Sequence, residues 1–323
     1  MSKLLSWRGW LVFVALAALP LMPWMSKYYM LLAFDALLFG AVAMSLDLLM
    51  GYTGLVSFGH AAFFGIGTYA AALMSARGQN PWLGLAIGIG VSVGAGAMIG
   101  YLSNRLKGPY FALSTIAFAE VLKIVASRWR GFTAGSEGVP VPFRPGFATL
   151  GLGHVAWVYL ILAAALLAYG LQVYLERSRV GYQLAGVRED EDAAEALGIA
   201  TRRRKVQAIV ASAALTSLGG SLWAQYVGFV DPSHVFSIDL SVRFALNSII
   251  GGMGTALGPF LGSVLITTLE TYLRATFSGA KAGFTGIYLI IYGVVLILIV
   301  RFAPEGVTGI AARWRTRRDR AHA

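Results

Sequence analysis

The chain has 323 residues, 57% of them hydrophobic and only 13% charged, with a mean hydropathy of +0.69. Soluble domains carry about 25% charged residues, so this composition excludes an ordinary soluble fold and places the chain in the membrane class. The net charge of +11 would suggest a nucleic-acid binder in a soluble protein, but in a membrane protein its placement matters more, and with no cysteine there is no disulfide or thiolate chemistry.

Apolar runs predict ten spans, near 10–25, 29–50, 54–76, 82–101, 109–127, 154–175, 205–228, 240–253, 257–276 and 284–302. The fold expected is all-α, a polytopic transmembrane bundle forming a single domain over 1–323, with broken or re-entrant helices among its spans. The first run follows Lys3 and Arg8 like a signal peptide, but it lacks a small-x-small cleavage site and reads as a retained span. The eighth is too short to cross easily. With the N-terminus inside, 17 Lys and Arg fall on inner segments and eight on outer ones, Lys123 lying within a span. This positive-inside bias predicts that both termini are cytoplasmic. The basic tail, 303–323, then reads as a juxtamembrane segment near anionic lipid rather than a nucleic-acid site.

Two connections stand out. Residues 128–153 form a Gly/Pro-rich outer loop too irregular to cross lipid unprotected. Residues 176–204 form the longest inner segment and the most charged part of the chain. Within it, "REDEDAAEALGIATRRRK" has the grammar of a short helix. Glu189, Asp190, Glu191 and Asp192 cluster at its start, where the helix dipole favours carboxylates, and Gly198 stands where a C-terminal cap belongs. Ala193, Ala194 and Leu197 make a small apolar patch beside Glu195. Such a helix suits docking on a partner, and equally a solvated connection.

The spans hold two glycine-dense stretches, 51–67 with Gly51, Gly54, Ser57, Gly59 and His60, and 251–262 with Gly251, Gly252 and Gly254. Gly-interrupted segments in both halves of a membrane chain point to a translocation path; close helix packing is the plainer account and does not exclude it. Of the ionisable residues, Glu120 and Lys123 lie three apart and suit an intrahelical pair. Asp35, Asp47 and Glu270 are expected near helix ends, within reach of water. The segment 231–244, "DPSHVFSIDLSVRF", suits a re-entrant or outer-face helix.

Asp192-Ala193-Ala194-x-x-x-Gly198 resembles the EAA motif of ATP-binding cassette (ABC) importer permeases, with Asp for the leading Glu and without the usual Leu-Pro continuation. Gly51–Tyr69, the loop 177–199, "GGMGTALGPFLGSVL" from Gly251 and "RFAPEGVTGI" near the end together resemble the branched-chain amino acid permeases of the high-affinity Leu/Ile/Val system, particularly the longer, LivM-type subunit. Asp47 departs from the neutral polar residue expected there. The resemblance implies a type II importer-like bundle of about ten spans in the bacterial inner membrane. It also implies a coupling helix at Glu189–Gly198, two separate ATP-binding subunits holding ATP and Mg, a sister permease forming a heterodimer, and a periplasmic substrate-binding protein.

The chain has no G-x-x-x-x-G-K-[ST] phosphate loop, so it is expected to hold no cofactor and to act as a transport subunit rather than an enzyme. Its four histidines are scattered, which gives no metal-ligand spacing. Ser57 and His60 could share a helix face, but no acid is placed to orient them. Related scaffolds importing urea, short amides or aromatic acids are the near alternative. An ion-coupled secondary transporter or channel is the distant one; it would use Glu120 and have no need of the 176–204 helix.

Overall fold

The computed structural model describes residues 2–18, 20, 26–102, 106, 108–277, 290–291, 293–294, 297–298, 301 and 306–309, with side chains omitted for 2–8. Most of the expected tenth span and of the basic tail lie outside these residues.

Thirteen helices are labelled here. The first five are α1 (Ser2–Ala18), α2 (Lys27–Thr53), α3 (His60–Ala76), α4 (Pro81–Leu102) and α5 (Pro109–Arg128). A short α6 (Arg130–Thr133) and a single turn at Gly135–Glu137 follow, then α7 (His154–Arg177), α8 (Arg179–Glu189), α9 (Glu191–Ala196) and α10 (Thr201–Val227). The last are α11 (Pro232–Val235), α12 (Ile238–Gly251) and α13 (Gly258–Phe277). The only strand pairing among the described residues is two residues long: β1 (Val139–Pro140) lies antiparallel to β2 (Phe229–Val230), with Val139 opposite Val230. It ties the 128–153 loop to the end of α10, and the loop's remaining hydrogen bonds include internal ones such as the exchange between Gly146 and Gly151.

Five described helices, α2, α4, α5, α7 and α10, are long and apolar enough to cross a membrane. The chain is therefore an all-α membrane bundle. α12 has 14 residues, short as the sequence predicts. The expected span 54–76 starts late: α2 ends on Gly54, whose φ of 72° is left-handed and whose N–H donates to the Met50 carbonyl. Helix resumes only at His60 because a residue in that conformation terminates an α-helix. Segment 231–244 likewise divides, into α11 capped by Asp231 and α12 capped by Ser237, whose hydroxyl accepts from the Leu240 N–H.

α2 and α10 form the centre. Every residue of α2 from Ala36 to Thr53 is buried, as expected of a helix surrounded on all sides. It packs against α7, α10, α12 and α13, while α10 also packs against α3 and α4. Between membrane helices, association depends on close backbone approach and on polar side chains that hydrogen-bond across the contact. Both operate where α3 crosses α10. The Ser221 hydroxyl donates to the Gly67 carbonyl and the Thr68 hydroxyl to the Gly220 carbonyl, each at 3.0 Å, and the Gln225 amide donates to the Ala71 carbonyl at 3.1 Å. α4 buries Gly84, Gly88, Ser92, Gly96 and Gly100, one small residue per turn, against α3 and α10. Elsewhere on its circumference it exposes Leu83, Ile87, Val91 and Met98.

Candidate coupling and translocation site

The break at 54–59 exposes backbone groups that a helix would satisfy, and side chains of other helices take them up. The Phe58 N–H donates to the Thr115 hydroxyl of α5 at 3.2 Å, and the Ala61 N–H to the Ser241 hydroxyl of α12 at 2.9 Å. Gly59 lies so close to the Thr115 carbonyl that a Cβ would clash with it.

Ser57 and His60 do not share a helix face as the sequence suggests, because Ser57 lies in the break and His60 opens α3. Their side chains nevertheless meet, Ser57 Oγ 2.9 Å from His60 Nδ1. His60 Nε2 lies 2.7 Å from Ser212 Oγ of α10, and Ser212 and Ser45 of α2 exchange hydroxyl-to-carbonyl hydrogen bonds. Ser45 also reaches the Thr216 hydroxyl. All five side chains are buried. Both His60 nitrogens are engaged by hydroxyls and no carboxylate joins them, so the arrangement bridges α2, α3 and α10 and lacks the parts of a nucleophile–base–acid relay.

A second network lies around Asp47. This residue is not at a water-reached helix end: its accessibility is 0%. Its carboxylate accepts from the Ser248 hydroxyl of α12 at 2.8 Å, the Gly254 N–H at 3.1 Å and the Gln172 amide of α7 at 3.2 Å. Gln172 also donates to the Met44 carbonyl at 2.9 Å. Glu176 of α7 accepts from the Ala256 N–H at 3.0 Å, so two carboxylates from two helices hold the loop 252–257. Buried charges persist only when surrounded by such donors. Asp35 and Glu270 lie elsewhere. Asp35 is half-buried, and Glu270 pairs with Arg243 at 2.7 Å and Arg274 at 3.3 Å.

The Asp47 network brings the two glycine-dense stretches together, although some two hundred residues separate them. A Cβ on Gly51 would meet both the Asp47 carboxylate and the Gly254 nitrogen; one on Gly251 would meet the Gly258 carbonyl. Gly252 and Gly254 both have positive φ, 115° and 72°, which L side chains rarely adopt. Gly51, Gly54, Gly251, Gly252 and Gly254 thus form one cluster. Ser57, Gly59 and His60 form the other, further along the break.

The charged loop folds as two helices rather than one. α8 ends at Glu189, so that carboxylate closes one helix and does not start the next. Asp190 caps α9, accepting from the Asp192 and Ala193 N–H groups at 3.0 Å each. Glu191 and Asp192 occupy its first turn, and Gly198 ends it with φ 83°. The expected patch divides as well. Ala194 is buried against the protein, while Ala193 is exposed and Leu197 is 83% exposed. α9 is fastened to α10 by an ion pair between Glu191 and the buried Lys205 and by a hydrogen bond from the Thr201 hydroxyl to Glu195 at 2.8 Å. The helix therefore presents Ala193 and Leu197 outward on a fixed base.

Sequence reasoning missed Arg188. It lies next to the end of α8, and its Nη1 donates to the Gly51 carbonyl at 2.7 Å. Its stem lies against Gly54. It stands directly before the acidic cluster, and nothing in its local spacing marks it as a partner of the end of α2. Glu120 and Lys123 pair as expected, at 3.2 Å, on a partly exposed face of α5.

Residues 28–300 match the model of a protein family described as branched-chain amino acid transport system, permease component. The chain belongs to this family. The high-affinity branched-chain amino acid transport system permease protein LivM of Escherichia coli K12 is 26% identical over 292 residues, covering 82% of this chain and 66% of that protein. LivH of Salmonella typhimurium LT2, a permease protein of the system so named, is 25% identical over 297 residues, 84% of this chain and 91% of its own. The autoinducer 2 import system permease protein LsrC of Klebsiella pneumoniae is 29% identical over 187 residues, 55% of this chain and 52% of its own. The chain spans just under two thirds of the length of the LivM relative. No solved structure matches it. Family membership, with its five long apolar helices, makes it a multi-pass permease component of a transport system.

Proposed function

We propose that this permease is the membrane-spanning subunit of an ABC importer that carries branched-chain or similar amino acids across the bacterial inner membrane, with both termini cytoplasmic. Two separate ATP-binding subunits, holding ATP and Mg, supply the energy. A sister permease completes the membrane core as a heterodimer, and a periplasmic binding protein delivers the solute. The observation that carries this reading is the α8–α9 pair: an outward-facing helix, fixed to α10, joined directly to a helix whose last turns touch the broken segment of α2. A solvated connection would need neither the fixed base nor the inward contact. In this reading Glu189–Gly198 is the docking element, with Ala193 and Leu197 on its outward face and Ala194, Glu191 and Glu195 fixing it to the protein, and Gly51, Gly54, Ser57, Gly59, His60, Gly251, Gly252 and Gly254 border the path.

Leu197→Glu tests it, because this side chain is exposed and its loss removes no internal contact. Uptake in cells carrying the full set of subunits is expected to fall about tenfold or more, as for a docking contact worth above 1.4 kcal/mol, with the permease still present in the membrane. Unchanged uptake, with no ATP-binding subunit co-purifying, overturns the reading. Binding of Leu, Ile and Val by the partner binding protein tests the substrate; preference for urea or an aromatic acid would change that part alone.

A further inference from the structure

The α8–α9 pair makes one hydrogen bond to the end of α2, and its position is unusual. An α-helix leaves its last carbonyls without intrahelical donors. At the end of α2 the Met50 carbonyl is taken by the Gly54 N–H, and the next one, Gly51, receives the Arg188 guanidinium at 2.7 Å. The same Nη1 lies 3.1 Å from where a Cβ on Gly254 would stand, and the Arg188 Cγ 3.2 Å from the corresponding point on Gly54. Two glycines, Gly54 and Gly254, thus make room for one arginine, and both have left-handed backbones. On the far side of Gly254 its N–H donates to Asp47, which also holds Ser248 and Gln172. Arg188 and Asp47 lie close enough to interact electrostatically, with the Gly51 and Gly254 backbones between them. Behind Arg188, α8 is seated by the buried Gly181, Leu184 and Val187.

We propose that Arg188 is a positioning residue that couples α8–α9 to both broken segments at once, holding the end of α2 and the 252–257 loop as one unit that moves with the docked helix pair. This rests on the importer reading above. Any displacement of α8 must carry its guanidinium, and the groups it touches belong to both glycine-dense stretches of the chain. A charge-assisted hydrogen bond to a freed carbonyl is among the stronger single contacts available for such a link.

The test uses the complete complex in proteoliposomes with solute-loaded binding protein, measuring solute moved per ATP hydrolysed. Arg188→Ala is expected to keep the ATP-binding subunits bound and to hydrolyse ATP within about twofold of the parent, while transport per ATP falls about tenfold or more, the scale of a lost hydrogen bond to a charged group. Arg188→Lys restores a single positive donor and is expected to recover most of that loss, whereas Arg188→Met, which fills similar space without a donor, is expected not to; recovery by Met would show a purely space-filling role and overturn the proposal. Tyr182→Ala, on the exposed face of α8, should leave the ratio unchanged. Parent-like transport per ATP in Arg188→Ala overturns the proposal, and so does loss of the ATP-binding subunits from that variant, which would make the residue an assembly contact. If the parent complex moves no amino acid, the importer reading fails instead.

Discussion

At the scale of single residues, Asp47 is the most consequential side chain the sequence pointed to and misplaced. A carboxylate near the end of a long apolar helix reads as a residue approaching water. It is buried because α7, α12 and the 252–257 loop close over it, each contributing a donor. Asp47→Asn turns an acceptor group into one that also presents two donors to the Ser248 hydroxyl, the Gly254 N–H and Gln172. The cost of leaving buried partners unsatisfied is about 1–3 kcal/mol, so the melting temperature of the purified permease in detergent is expected to drop clearly. Asp239→Asn, on an exposed turn of α12, should stay within about 0.5 kcal/mol. Equal shifts in the two variants would refute the role given to Asp47.

At the scale of elements, α4 and α9 show how far pattern reaches. The five small residues at every fourth position of α4 are a packing signal written in the sequence. Hydropathy alone cannot separate them from Gly90 and Gly94, which face open space on the same helix. Gly88→Leu forces a side chain towards Gly67 and Ala70, and overpacking of this kind typically costs about 1–3 kcal/mol. Gly90→Leu and Gly94→Leu should leave stability and monodispersity unchanged. In α9 the acidic run was legible but its division was not, because either of two adjacent carboxylates can cap a helix. Asp190→Ala removes the observed cap at a cost of about 1 kcal/mol. Backbone amide exchange across 191–197 should quicken, while the α10 amides stay protected. Glu189→Ala, at the close of α8, should not reproduce that effect.

At the scale of the whole molecule, the structure joins segments the sequence keeps apart. Placing Arg188 against Gly54 brings their Cβ positions to 3.8 Å, within the range a disulfide spans. The natural chain has no cysteine, so Gly54→Cys with Arg188→Cys should form an intramolecular disulfide on oxidation, seen as a reductant-sensitive mobility shift with no background. Failure of the pair to cross-link would mean that α8 does not lie on the end of α2.

The sequence by itself determined the membrane class, the all-α bundle, the shortness of α12, the short acidic helix of the charged loop and the glycine-dense stretches. Each is a property of neighbouring residues: apolar run length, capping residues, small-residue spacing. Only the tertiary structure decided which glycines meet, that His60 is occupied on both nitrogens by hydroxyls from the break and from α10, and that Arg188 donates to the freed Gly51 carbonyl at the end of α2. Those outcomes depend on which helices pack around α2. A buried carboxylate or a freed carbonyl takes its partner from whatever the fold brings within 3 Å, and sequence spacing does not encode that distance.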